Sequence, residues 1–171
     1  QRGEWDDMFS KGKIEGKFQL LVPAVTSEDR DYIPMGFVGD DTIISNRCYI
    51  VYDTPIWLLG CLVSKMHIKW FQAIGGKLET RYSYSAGLVY NTFPIPELSD
   101  SRKNMLEEEG GTLAELYGGA NKPMNERLRQ AHEKIDGIVE RAYQQKPFES
   151  DEERLSVLLN LYKEMTEKEA K

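Results

Sequence analysis

The residues of this chain best suited to chemistry lie in one alternating run, Gly76-Lys77-Leu78-Glu79-Thr80-Arg81-Tyr82-Ser83-Tyr84-Ser85, followed by Val89-Tyr90-Asn91-Thr92-Phe93-Pro94. Apolar and aromatic residues alternate there with an acid, a base and a hydroxyl. Strand side chains alternate between faces with a period of two. As a strand, the run puts Glu79, Arg81 and Ser83 on one face and turns Leu78, Tyr82 and Tyr84 the other way to pack. A carboxylate and a guanidinium two residues apart, on an exposed strand edge or turn, suit the edges of a base pair. Glu accepts a hydrogen bond from cytosine N4, and Arg makes a fork to guanine O6 and N7. The plain alternative is a solvated surface ion pair, which is worth little energetically. Spacing alone does not choose between the two.

Other side chains invite weaker readings. Lys65, Lys69 and Lys77 suit phosphate contacts, which position a protein on a duplex without specifying sequence. A solvated helix face explains Lys65 and Lys69 equally well. Tyr82, Tyr84 and Tyr90 have the chemistry to touch phosphate or stack on a flipped base, but their spacing favours sheet core for Tyr82 and Tyr84. His67 sits beside Met66 in an apolar segment, and His132 beside Glu133 in a charged one. Neither has metal-ligand spacing, so both read as ordinary core or surface residues. Cys48 and Cys61 form neither a disulfide framework nor a zinc site and read as reduced, buried apolar groups. Gly36-Phe37-Val38-Gly39 lacks the three-glycine spacing of a cofactor loop and reads as a turn. Glu15-Gly16-Lys17 has nuclease-like spacing without a partner acid motif. No Asp/Asn-Pro-Pro-Tyr methyl-transfer motif occurs, and Tyr90-Asn91-Thr92-Phe93 is not a variant of it. No catalytic residue and no metal ligand is therefore assigned within this chain.

The elements that must position these residues divide the chain in two. Its 171 residues allow one large domain or two small ones, and 40 % apolar content supports a real core. The net charge of −6 argues against a free-standing, non-specific nucleic-acid binder. Residues 1–96 carry 10 Lys/Arg against 11 Asp/Glu, whereas residues 97–171 carry 12 against 17, so any nucleic-acid contact belongs to the near-neutral first part. The opening residues show no signal-peptide pattern. The apolar run from Ile56 to Val63 is far too short to span a bilayer, which points to a soluble, cytoplasmic protein. Gln1-Arg2-Gly3-Glu4-Trp5, without an initiator Met, reads as the start of a piece of a longer polypeptide.

In the first part, residues 17–25, Tyr32 to Val38, Thr42 to Ile44 and Cys48 to Tyr52 read as strands, with a turn at Gly39-Asp40-Asp41 and a bend at Ser45-Asn46-Arg47. Asp53-Thr54-Pro55 reads as a helix start, with Asp53 or Thr54 as cap. One buried helix then runs through Ile56, Leu59, Leu62, Val63, Met66, Trp70, Phe71 and Ile74 to Gly75-Gly76. The strand bearing Glu79 and Arg81 follows, and Pro94-Ile95-Pro96 reads as a boundary. Beyond it, a helix over Ser101 to Glu109 is expected to stop at Gly110-Gly111. A short one opens at Thr112 with a capping box to Glu115. A longer helix starts at Pro123 with Leu128, Ala131, Ile135, Ile138, Val139 and Ala142 on one stripe. A last one, opened by the capping box Ser150 to Glu153, carries Leu155, Leu158, Leu159, Tyr162 and Met165. The last two are expected to form an antiparallel hairpin packed on the first part.

Several of these segments also resemble a known family. Tyr32-Ile33-Pro34-Met35-Gly36-Phe37, Ser64-Lys65-Met66-His67, the run from Gly76 to Ser85 and the run from Val89 to Pro94 occur here in that order. Together they resemble the target-recognition domain of MmeI-like (type IIL/IIG) DNA adenine-N6 methyltransferases, which are single-chain restriction-modification enzymes. Thr112-Leu113-Ala114-Glu115-Leu116-Tyr117, Ala131-His132-Glu133-Lys134-Ile135-Asp136 and Phe148 through Tyr162 resemble the helical C-terminal region of the same family. The resemblance covers residues 17–165. It implies that the segment from Glu79 to Ser83 enters the DNA major groove. It further implies that Glu79 and Arg81 act together on one base pair, and that Ser83 acts with an upstream position near Arg47 on another. Family members vary at these positions, so the resemblance carries no complete recognition sequence. On chemistry alone the Glu79/Arg81 pair favours C·G, each good bidentate contact giving about 1–3 kcal/mol of discrimination.

The reading is an α+β fold: a leading segment over 1–16, a mixed β-rich recognition module with a buried helix over 17–96, and a helical module over 97–171. Its expected partners are double-stranded DNA and the upstream methyltransferase domain of the same polypeptide, with no membrane. The resemblance implies no cofactor in this fragment, S-adenosylmethionine in the parent, and Mg2+ where the parent carries a nuclease. The fragment alone is expected to be catalytically inert. Two alternatives stay open. One is an acidic helical module whose amphipathic helices bind a partner groove. The other is a specificity domain of a phage-defence methyltransferase that lacks a nuclease.

Overall fold

The computed structural model describes residues 19–38, 45–79, 81–117 and 123–170. The leading segment, the turn expected at Gly39-Asp40-Asp41 and the strand expected at Thr42 to Ile44 lie outside them. The first part is two small antiparallel sheets that share one bent stretch of chain. Strands β1 (Gln19–Pro23), β3 (Gly36–Val38) and β4 (Cys48–Val51) form the first sheet in the order β3-β1-β4. Strands β2 (Val25–Ser27), β5 (Gly76–Leu78) and β6 (Arg81–Ser83) form the second in the order β2-β6-β5. The strand expected over 17–25 is therefore split at Ala24. Pro23 lacks the amide needed to continue a ladder, and the chain leaves one sheet there and enters the other. Ala24 joins them: its N–H donates to the Arg47 carbonyl at 2.9 Å and its carbonyl accepts from the Tyr84 N–H at 2.8 Å. Of the strand expected from Tyr32 to Val38, only Gly36–Val38 pairs, against Gln19 to Leu21, so the turn expected around Gly36 is in fact strand.

The helix expected from Ile56 to Ile74 is two helices, α1 (Ile56–Leu62) and α2 (Lys65–Ile74). Ser64 causes the break. Its hydroxyl donates to the Cys61 carbonyl at 2.7 Å and accepts from the His67 N–H at 3.4 Å, which ends one helix and caps the next. Neither Asp53 nor Thr54 caps α1. Pro55 holds that position, and the Thr54 hydroxyl turns back to the Val51 carbonyl at 2.8 Å. At the far end of α2, Gly75 has ordinary extended dihedrals, so it is not there for a left-handed cap. It is there for space, because a Cβ would sit 2.5 Å from the Phe71 carbonyl oxygen.

The second part is three helices: α3 (Asp100–Tyr117), α4 (Glu126–Tyr143) and α5 (Asp151–Glu169). Helix α3 runs straight through Gly110-Gly111, where a stop and a new capping box were expected. The Thr112 hydroxyl bonds back to the Glu108 carbonyl at 3.1 Å instead. The glycine is explained by packing. A Cβ on Gly110 would lie 3.1 Å from Ile56 Cγ2, and one on Gly60 would lie 2.9 Å from Leu106 Cδ2. Each helix thus offers a glycine to the other's large side chain, and α1 and α3 approach closely. Helix α4 begins at Glu126 under an Asn125 cap, not at Pro123, with Asn125 Oδ1 accepting from the Leu128 N–H at 3.0 Å. The cap at Ser150 forms as expected and accepts from the Glu153 N–H at 3.1 Å.

The hairpin expected of the last two helices is not how they pack. Helix α4 lies mainly on α3, while α5 lies mainly on α2, with Tyr162 against Trp70 at 5.5 Å and Asp151 bonded to the Lys69 ammonium at 2.8 Å. The Arg154–Glu140 pair at 2.7 Å ties α5 back to α4. One continuous core runs through both parts, from Leu20 and Phe37 through Leu59, Trp70 and Phe71 to Leu106, Ile135 and Leu158. The architecture is α+β: small antiparallel sheets with short helices, then helices. Among the described residues no helix is long and apolar enough to cross a membrane.

Two glycine substitutions check this packing with opposite signs. Gly75→Ala is expected to lower stability by roughly 1–3 kcal/mol, because the clash is with backbone rather than a movable side chain. Gly137→Ala meets nothing within 4 Å, and is expected to raise stability by about 0.5–1 kcal/mol through helix propensity alone. Paired thermal melts read both.

Candidate nucleic-acid interface

The run singled out in the sequence is a β-hairpin, with a shape the alternating pattern did not anticipate. Leu78 pairs with Arg81, so Glu79 lies in the connection between β5 and β6. Glu79 is therefore in the turn and not in the strand, and it does not share a strand face with Arg81 and Ser83. Its φ is +56°, a left-handed conformation that glycine or asparagine would adopt more comfortably. Arg81 and Ser83 do share a face of β6, as the period of two requires. Arg81 is exposed and Ser83 half-buried. Among the described residues, neither the Glu79 carboxylate nor the Arg81 guanidinium has a hydrogen-bond or ion-pair partner, so the two are not locked to each other.

The opposite face of the hairpin is anchored. Tyr82 packs on Phe71 with ring centroids 5.6 Å apart, and Lys77, its cross-strand neighbour, places its ammonium 5.2 Å from the Tyr82 ring. Tyr84 is buried beside Phe71 at 5.1 Å, and its hydroxyl meets His67 Nε2 at 3.0 Å. The other histidine nitrogen, Nδ1, lies 2.6 Å from the Leu62 carbonyl and donates to it, since a carbonyl can only accept. That fixes the tautomer, and Nε2 accepts from Tyr84. His67 is therefore a neutral, fully satisfied connector from the end of α1 to the residue that follows β6. Burial pulls its pKa down to about 4.

Arg47 is exposed in the turn before β4. Its carbonyl accepts from Ala24 N–H, and Val25, the next residue, pairs with Ser83. Arg47 and Ser83 thus flank the same junction between the two sheets. The lysines differ from one another. Lys77 is exposed on β5. Lys69 is committed within the protein, with its ammonium on Asp151 at 2.8 Å and on Gln72 Oε1 at 3.1 Å. Lys65 opens α2, and its backbone N–H donates to Asp136 Oδ1 at 2.7 Å. Lys69 thus meets the helical part of the protein through its ammonium, and Lys65 through its backbone.

Sequence reasoning missed a buried polar cluster on α4. His132 and Asp136 are both buried, one helical turn apart on the stripe of Leu128, Ala131, Ile135 and Val139. His132 stacks on Tyr32 at 3.9 Å, and its Nε2 meets the Tyr117 hydroxyl at 3.0 Å. Its Nδ1 faces the Val63 carbonyl outside good hydrogen-bond geometry. Asp136 accepts from Lys65 N–H and, at 2.7 Å, from the Tyr32 hydroxyl. Burial lowers the His132 pKa to about 4 and raises that of Asp136 to about 6. The available signal was positional: two polar residues at i and i+4 within an otherwise apolar stripe.

Comparison with known proteins decides the family. Residues 6–97 match the MmeI target recognition domain, and residues 98–169 match the MmeI C-terminal domain. The chain belongs to the MmeI family. It is similar to DNA methyltransferase A of Bacillus subtilis (strain 168), 59 % identical over 162 residues that cover 88 % of this chain and 18 % of the relative. It is also similar to the solved structure of the type IIL restriction-modification enzyme MmeI in complex with DNA. There the TM-score is 0.81 at 33 % identity, covering 88 % of this chain and 21 % of that one. The chain spans about a fifth of the length of these relatives.

Two outcomes follow from the site's geometry. Glu79→Gly is expected to hold or raise stability, by up to about 1 kcal/mol, because it relieves left-handed strain at the hairpin tip. Glu79→Val is expected to lower stability, and thermal melts compare them. The buried histidines set the acid response. A histidine whose folded pKa lies below about 6.5 is protonated more readily in the unfolded chain, so stability present above that pH is lost as pH falls towards 4. Asp136, raised to about 6, works against this, since its protonation favours the folded state. Urea midpoints are expected to fall between pH 7 and 4, and to fall further in Asp136→Asn.

Proposed function

We propose that this chain is the sequence-reading part of a larger S-adenosylmethionine-dependent adenine-N6 DNA methyltransferase of the restriction-modification type. In this reading the β5–β6 hairpin enters the major groove. Glu79 and Arg81 act on one base pair, and Ser83 with Arg47 acts on a second. Lys77 and Lys65 contact phosphate. Methyl transfer, S-adenosylmethionine and any Mg2+-dependent nuclease belong to parts of the parent other than these residues, which contain no methyl-transfer motif.

The observation that carries the reading is Glu79. A non-glycine residue held exposed in a turn at φ +56° costs backbone energy, and such strain is typically retained where the side chain has work outside the fold. Its carboxylate and the neighbouring guanidinium have no partner among the described residues, which leaves their hydrogen-bonding capacity for a ligand. A carboxylate and a guanidinium presented together match a C·G pair, cytosine N4 to the acid and guanine O6/N7 to the base. The anchored rear face, Tyr82 and Tyr84 on Phe71 and His67, supplies the rigidity that base reading needs. The rival interaction-module reading loses the α4 stripe, because Leu128, Ala131, Ile135 and Val139 are buried inside the protein, and it keeps the exposed Leu159 and Met165 of α5.

Methylation-site mapping in cells expressing the full-length parent tests this. Wild type is expected to modify adenines at one motif, and Glu79→Lys/Arg81→Asp to change a single base pair of that motif. An unchanged motif in the double variant would sink the assignment of these two residues.

A further inference from the structure

The broken helix gives the C-terminal module a way to act on the hairpin. The break at Val63-Ser64 exposes the first amides of α2, which have no carbonyl one turn earlier to bond to. Ser64 caps the His67 N–H, and Asp136, reaching across from α4, takes the Lys65 N–H at 2.7 Å. A carboxylate at that end of a helix is favourable both as an acceptor and through the helix dipole. The second carboxylate oxygen is fixed by the Tyr32 hydroxyl at 2.7 Å, so the group cannot rotate away. From Lys65 the helix runs ten residues to Ile74, and β5 begins at Gly76 with only Gly75 between them. Phe71 on the same helix touches both Tyr82 and Tyr84 of the recognition segment. Where α2 starts therefore determines where the hairpin sits.

We propose that Asp136 is a positioning residue for sequence reading, setting the start of α2 and through it the placement of Glu79 and Arg81. This inference rests on the function proposed above. The carboxylate touches no DNA. It acts through Lys65 N–H, α2 and the Phe71 contacts, so removing it lets the hairpin tip shift relative to the base pair while the rest of the fold persists. An asparagine in its place still offers one oxygen to Lys65 N–H, and its amide can donate to the Tyr32 hydroxyl oxygen.

The test uses the full-length parent and reads a ratio of methylation rates. The numerator is the rate on a duplex carrying the mapped motif, and the denominator the rate on a duplex changed only at the base pair read by Glu79 and Arg81. Loss of folded protein scales both rates equally and leaves the ratio unchanged. Asp136→Ala is expected to lower the ratio about ten-fold, the scale of coupling carried through packed networks, and Asp136→Asn to recover most of it. A wild-type ratio in both variants, while Glu79→Lys/Arg81→Asp still changes the motif, overturns the role of Asp136 and leaves the base-reading assignment standing. A Glu79→Lys/Arg81→Asp variant with an unchanged motif overturns the base-reading assignment, and the inference with it. Should Asp136→Ala fail to fold, Tyr32→Phe decides, because it frees the second carboxylate oxygen: a ratio below wild type supports the inference, and an unchanged one overturns it.

Discussion

Everything else in this molecule hangs on the break between α1 and α2. Interrupting a buried helix leaves backbone groups without partners, and each unmade hydrogen bond costs roughly 1–3 kcal/mol in a dry interior. The protein satisfies them one by one. The Ser64 hydroxyl takes the Cys61 carbonyl, His67 takes that of Leu62, and Asp136 takes the Lys65 amide. Two of these donors and acceptors are local. The third comes from seventy-one residues further along the chain. The C-terminal helices thus complete the break, and α2 runs from it to the β5–β6 hairpin.

The same economy of backbone bonding explains the two sheets. One bent stretch of chain, Gln19 to Ser27, serves both, and Ala24 at the bend binds Arg47 on one side and Tyr84 on the other. Arg47 and Ser83 thus flank a single backbone junction, with Arg81 and Glu79 further along the same hairpin. Beneath them Phe71 contacts Tyr82 and Tyr84, while His67 joins Tyr84 to α1. The acidic helical part contributes none of these exposed groups. It supplies a rear support, through Asp136 at one end of α2 and through the Lys69–Asp151 pair and Tyr162 along its length.

What could be read from the sequence was what local chemistry determines. Ser150 with Glu153 forms its cap, Cys48 to Val51 is a strand, and the alternation of Tyr82 and Tyr84 against Arg81 and Ser83 places the tyrosines inward. What could not be read depended on distant partners. The apolar period runs unbroken across Val63-Ser64, so the helix break was invisible without Asp136 to complete it. Gly110-Gly111 looked like a stop because nothing local shows that Ile56 will fill the space above Gly110. Glu79 was placed in a strand because glutamate carries no turn signature, and the register is fixed by the pairing of Leu78 with Arg81. The candidate reading residues came from local chemistry and resemblance. Their presentation, Glu79 in a strained turn, Arg81 and Ser83 on a strand face and Arg47 in the turn before β4, came only from the fold.

The central claim is that the β5–β6 hairpin carries its unpartnered acid and base to one base pair. A structure of the full-length parent bound to a duplex containing its own methylation motif addresses it most directly. The account predicts the hairpin tip in the major groove, with the Glu79 carboxylate and the Arg81 guanidinium both within hydrogen-bonding distance of the same pair. A complex in which the tip lies in solvent or against phosphate, with the bases read by other residues, would contradict it.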